Sequence, residues 1–183
     1  MGRDDAEQVP LETAAQWRSW LEEHHETSAG VWLVQWRRAT GRPAMTYDEA
    51  ITEAVAFGWV DSQSKTLDDE RSALWFVRRA PGSAWSRTNK ERVARLEADG
   101  RMTDAGRRLV EAAKADGTWS VLDDAEALIV PNDLGAALAA AKAREAWDAQ
   151  TPGVRRAALI RLALAKRAET RARYVSQMVA DLG

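Results

Sequence analysis

The sequence predicts an α+β fold: a small antiparallel sheet of about three strands packed with helices, followed by a helical C-terminal part. Three observations carry this. Residues 59–66 and 72–77 alternate in polarity around a Leu67-Asp68-Asp69-Glu70 turn cluster, the pattern of a β-hairpin. VWLVQW, residues 31–36, is apolar on both faces, as a buried strand is. From Ser86 onward the apolar residues recur at helical spacing. An α+β core is expected within residues 1–120, with residues 121–183 packed on it as one structural unit.

Taken in order, residues 1–10 read as a frayed terminus. Thr13 with Gln16 has the form of a capping box, and Trp17, Trp20, Leu21 and His24 then share one face, giving a helix over about 12–26. His24 and His25 end it where the dipole suits them; neighbours on a helix point apart and no further ligands accompany them, so no metal site is read there. Gly30 precedes the buried strand, and the RRATGRPA segment after it is turn-rich. Thr46 and Glu49 repeat the capping box, and Tyr47, Ile51, Ala54 and Val55 form a stripe that closes at Gly58. Beyond the hairpin, Ala80-Pro81-Gly82 breaks the second strand. Ser86 caps a helix carrying Val93 and Leu96 to Gly100, and Thr103 caps another through Leu109, Val110 and Ala113 to Gly117. Residues 119–130 form an acidic connector. Pro131 opens an alanine-rich helix, a further piece holds Trp147, and Thr151-Pro152 starts the last helical stretch, with a break near Ala168.

Composition narrows the function classes. A net charge of -2 argues against coating nucleic acid through bulk charge. With no cysteine, disulfides, thiolate nucleophiles and cysteine metal sites are excluded. The acidic start lacks an apolar leader, and no apolar run approaches the roughly 18 residues of a membrane span, so a cytoplasmic protein without membrane insertion is expected. Nine tryptophans stand against two phenylalanines and two tyrosines. Rings of that size normally carry burial, which puts a core built on indoles ahead of a pocket lined with them. Lys and Arg outnumber Asp and Glu ten to four over 71–108 and seven to one over 155–173. These two basic faces suit an anionic partner, or else pair with the acidic segments 1–27 and 111–133.

Gly58-Trp59-Val60-Asp61-Ser62 resembles the GWID(S/G) element of the YdeI/OmpD-associated family, also described as bacteriocin-protection proteins. Tyr47-Asp48-Glu49-Ala50 resembles the tyrosine-led helix before that element, and Lys65 with Leu67-Asp68 its hairpin motif. Ser83-Ala84-Trp85-Ser86 with Asn89 is similar to the S-x-W-S-x-x-N step. Leu96, Gly100-Arg101-Met102-Thr103 and Gly106, and later Lys166 with Glu169-Thr170-Arg171, are similar to the family's remaining motifs. Where relatives read F-x-P-R, this chain has Phe76-Val77-Arg78-Arg79, so only Arg79 lines up and the rigid turn is missing. The resemblance implies a cytoplasmic α+β protein linked to resistance against bacteriocins or cationic peptides, with no agreed biochemical activity to carry over.

The common nucleotide, hydrolase and zinc-protease signatures are absent, and neither a cofactor nor a metal is expected. Asp61 is the best single acid: a general base in an enzyme reading, a partner of Arg79 or of a backbone amide in a structural one. Arg78, Arg79, Ser83, Trp85, Ser86 and Asn89 form the binding constellation. Guanidinium forks suit phosphate or carboxylate, exposed N–H groups opening the Ser86 helix favour an anion, and Trp85 offers a stacking face. The architectural reading has Ser86 capping, Asn89 closing the turn and Trp85 packing. Trp59, Asp61, Lys65 and Arg171 complete the candidate set. The first expectation is a non-enzymatic protein holding a small anionic ligand, or a protein partner, near Arg79, Trp85, Ser86 and Asn89. Nucleic-acid binding through the two basic helical faces is the second, and an enzyme using Asp61 the third.

Overall fold

The computed structural model describes residues 6–182. Four strands, β1 (Gln8–Pro10), β2 (Val31–Trp36), β3 (Trp59–Thr66) and β4 (Arg71–Arg78), pair in the spatial order β1-β2-β4-β3. β2 and β3 each lie antiparallel to β4, while β1 runs parallel to β2. The sheet is therefore mixed, which corrects the expectation of a purely antiparallel one. Residues 8–10, read as frayed, pair with Trp32–Val34. Only Val9 of the three is buried, so the segment is too short to show an alternation and is recruited by backbone pairing. Residues 1–5 of the expected frayed terminus lie outside the described residues.

The hairpin turn closes on Asp68, whose Oδ1 accepts the N–H groups of Glu70 and Arg71 at 3.0 and 2.7 Å. This is the side-chain mimicry of a backbone turn that favours aspartate there. Val31 to Val34 are all buried, as a strand covered on both faces requires. On one face Trp32 and Val34 pack with Ala73 and Trp75. From the other, Phe76 meets Trp17 of α1 (Ala14–His24) with ring centroids 5.1 Å apart, and Trp20 stands edge-on to Trp59 at 5.8 Å. Seven of the nine tryptophans are buried. At about 25 cal/mol per Å² and roughly 150–250 Å² per ring system, each contributes about 4–6 kcal/mol as an upper estimate, several times what ring geometry adds. Burial decides their place. The indole N–H groups of Trp17 and Trp59 find carbonyls at Ala50 (3.0 Å) and His25 (3.2 Å).

Both expected capping boxes form, Thr13 with Gln16 on α1 and Thr46 with Glu49 on α2 (Tyr47–Ala56). α3 (Arg87–Ala98) and α4 (Asp104–Asp116) follow the hairpin. α4 approaches the end of α2 closely. Thr103 Oγ1–H donates to Ala56 O at 2.6 Å, and a Cβ on Gly106 would collide with the same carbonyl.

The chain divides into two units, Met1–Ser83 with Thr88–Ala113, and Ala84–Arg87 with Lys114–Gly183. The second is helical: α5 (Asp123–Glu126), within the expected connector, then α6 (Asn132–Ala140), α7 (Arg144–Asp148), α8 (Pro152–Ala163) and α9 (Ala168–Ala180). Its core gathers Leu134, Leu138, Trp147, Leu159, Leu162, Val175 and Met178. Thr151 caps α8 and Pro152 opens it, as the sequence predicts. Among the described residues no helix is long and apolar enough to cross a membrane.

Candidate functional site

Gly58 is the corner on which the site is built. It joins the end of α2 to β3 at φ +74°, a left-handed conformation that side chains disfavour, and a Cβ there would strike Leu109 of α4. Its carbonyl accepts the Arg79 N–H at 2.9 Å, which returns the end of the hairpin to the end of α2. The residues just after α1 are held to the same place, because Arg78 Nη1 donates to Glu26 O at 3.3 Å and the Trp59 indole to His25 O at 3.2 Å. The Thr103–Ala56 bond brings the first turns of α4 alongside. Between these elements lies a cleft of about 370 Å³ whose walls include His25, Phe57, Arg78, Arg79, Arg108 and Leu109. That is the lower end of the size range of small-molecule sites.

The cleft is cationic. Arg79 is only 7% exposed. Burial pushes its guanidinium down to about 10, and the negative charge of Asp61 acts in the opposite direction. It therefore keeps its charge at neutral pH while carrying a desolvation cost that an incoming anion would reduce. Arg108 is exposed and lies 4.0 Å from Glu26 Oε1. His25 Nδ1 sits 2.8 Å from Leu21 O, which makes it the nitrogen that carries the proton in a neutral ring. Its Nε2 lies 3.8 Å from the same Glu26 oxygen. Three guanidinium groups and one carboxylate leave the walls with a positive excess, suited to a small phosphate or carboxylate.

The remaining candidate residues are placed as follows. Asp61 Oδ2 accepts the Tyr47 hydroxyl at 2.8 Å. The Tyr47 phenol is pushed up to about 12 by burial first, then by the hydrogen bond and charge of Asp61. Trp59 is buried in the core. Lys65 Nζ stands 3.9 Å above the Trp32 ring. Ser83 Oγ donates to Ala80 O at 2.6 Å, across the Pro81-Gly82 turn. Asn89 Oδ1 accepts from Arg92 Nη1 at 2.8 Å. Trp85 and Ser86 belong to the second unit, where Trp85 is 1% exposed with its ring 5.2 Å from that of Trp119. The expectation of exposed N–H groups at the start of α3 is corrected at Arg87, whose N–H donates to Glu126 Oε2 at 2.8 Å. The protein's own carboxylate takes the place assigned to an external anion. Arg171 forks onto Asp133 at 2.6 and 2.9 Å and reaches Leu162 O at 3.0 Å. Arg78 and Arg79 are the members of the expected constellation that line the cleft.

Residues 9–109 match the family model described as Domain of unknown function (DUF8412). The chain belongs to this family. Residues 127–183 match a second model, described as Bacteriocin-protection, YdeI or OmpD-Associated. No curated protein and no solved structure matches the chain. The Lys166 and Glu169-Thr170-Arg171 motif lies inside the YdeI/OmpD-associated segment. The motifs from Tyr47 to Gly106, and the whole cleft, lie inside the DUF8412 segment.

The DUF8412 segment also holds charged residues that sequence reasoning passed over. Glu53 is 2% exposed and clamped by Arg18 at 3.1 Å and by Arg101. Arg92, 7% exposed, grips Asp48 at 3.0 and 2.6 Å and holds that carboxyl below its ordinary range. Nothing local announces such pairs. The one signal at Glu53 is its position between Ile51 and Ala54 in the buried second half of α2. Arg108 is visible in sequence only as one of many cations in the basic stretch.

Proposed function

We propose that the chain is a non-enzymatic binding protein that holds a small anionic ligand in the arginine-lined cleft of its DUF8412 segment. The observation that carries this reading is Arg79, a guanidinium 7% exposed in the wall of a 370 Å³ cleft that Arg78 and Arg108 also line. A buried cation is costly to keep, and an anion of phosphate or carboxylate type offsets that cost while accepting paired N–H bonds. The YdeI/OmpD-associated match supports a link to bacteriocin or cationic-peptide resistance. In this reading the role is exercised in the cytoplasm through the bound anion or a protein partner, since a cationic cleft repels a cationic peptide. Nucleic-acid binding has weaker support. Arg92 and Arg95 of the first basic stretch are bound to Asp48, Arg101 to Glu53, and Arg107 to Glu97 and Asp104.

A thermal-shift comparison of the wild type and Arg79→Met against inorganic phosphate, sugar phosphates and small carboxylates tests the reading. A ligand that binds only the folded state raises the melting temperature by mass action. The wild type should respond to at least one of these anions and Arg79→Met to none. An equal shift in both proteins removes the reading.

A further inference from the structure

The YdeI/OmpD-associated segment carries a second cation cluster. Arg161 lies on α8, Lys166 and Arg167 on the connection to α9, and Thr170 and Tyr174 on α9 itself. With Leu164, which is 50% exposed, they line a groove of about 410 Å³. Two other arginines of the segment are committed elsewhere: Arg155 lies 3.4 Å from Asp148, and Arg171 is forked onto Asp133 at 2.6 Å. Among the described residues, no carboxylate comes within the 4.0 Å of an ion pair to Arg161, Lys166 or Arg167. Arg161 is held in place over the Tyr174 ring, its Cζ 3.8 Å from the centroid, and Arg173 stands 5.7 Å from the same ring.

We infer that this groove binds a short polyphosphate chain, free or as part of a nucleoside triphosphate. Three cations line it, Arg161 from α8 and Lys166 with Arg167 from the α8–α9 connection. Linked tetrahedral phosphates present oxygens to all of them and carry several charges in a short length, whereas a carboxylate offers one planar fork and one charge. A nucleic-acid strand needs a track of cations continuing past the groove. Arg155 and Arg171 of the same segment are turned instead to Asp148 and Asp133. The site is independent of the Arg79 cleft.

Isothermal titration of tripolyphosphate, ATP and citrate into the full chain carrying Arg79→Met, in which the anion cleft is disabled, decides the matter, with Arg161→Ala/Lys166→Ala/Arg167→Ala added to it as the variant and circular dichroism as the fold control. Tripolyphosphate and ATP should still bind the Arg79→Met chain. The triple variant should lose roughly tenfold in affinity, the scale of removing three exposed charge pairs. The single reversal Lys166→Glu should weaken binding with the fold unchanged. Tighter binding of ATP than of tripolyphosphate identifies a nucleotide as the occupant, and equal binding identifies the phosphate chain alone. In that background, citrate binding as tightly as tripolyphosphate, no binding at all, or an unaffected triple variant would each overturn the inference.

Discussion

Glu53 and Arg79 are two buried charges of one unit, the first between two guanidinium groups and the second in the wall of a cleft. Glu53 is answered by Arg18 at 3.1 Å and by Arg101, so its charge is matched inside the fold. Its loss would leave Arg18 with Glu22 at 3.1 Å and Arg101 with a side chain 46% exposed, so neither guanidinium is stranded. Glu53→Gln should therefore cost about 2–3 kcal/mol, at or below the low end for breaking a buried ion pair, as read from urea unfolding. Arg79 faces a cleft, and burial depresses its guanidinium. Arg79→Met keeps an unbranched apolar stem, two atoms shorter, and removes a charge whose burial outweighs the pull of Asp61. Without ligand, its melting temperature should equal or exceed that of the wild type. A drop of several degrees in a calorimetric scan would assign Arg79 to the scaffold.

At the scale of elements, the contact between α2 and α4 is set by a missing side chain. A Cβ on Gly106 would run into Ala56 O and Met102, whereas one on Gly100 meets nothing within 4 Å but carries φ +66°. Gly106→Ala should cost about 1–3 kcal/mol through overpacking and widen the cleft, and Gly100→Ala about 1 kcal/mol through backbone strain alone. Chemical denaturation of both variants separates the two mechanisms. An equal cost with unchanged ligand affinity would show that close approach at Gly106 does not shape the site. Most elements were legible because their signals are local. The capping boxes at Thr13 and Thr46, the Thr151-Pro152 start and the alternation of β3 and β4 each act within a few residues. β1 was not, because three residues with one buried side chain carry no period and pair only once β2 is in place.

Across the whole molecule, surface carboxylates form the acid-sensitive part of the fold. Asp48 is held below its ordinary range by Arg92, Asp133 by Arg171 and Asp148 by Arg144, each first through a hydrogen bond. A carboxylate depressed in the folded state contributes stability that is present above its unfolded value, about pH 4, and is lost as pH falls through the folded value. The melting temperature should decline below about pH 4, and Asp48→Asn or Asp133→Asn should make that decline shallower. A curve that keeps its slope in both variants would assign acid sensitivity elsewhere. The site was less legible than the fold for the same physical reason that these pairs were. Arg79 stood out through its motif, but the company of His25, Arg108 and Leu109 arises from tertiary approach at Gly58 and Gly106. Ser86 and Trp85 read as a binding step because sequence shows the helix start and not Glu126, which meets the N–H of Arg87.

The most direct test of the anion cleft is a calorimetric titration of inorganic phosphate and small sugar phosphates into two proteins that both carry Arg161→Ala/Lys166→Ala/Arg167→Ala. One retains Arg79 and the other adds Arg79→Met. The account predicts one saturable site in the first and none in the second, with both proteins equally folded by circular dichroism. The same binding in both, or none in the first, would contradict it.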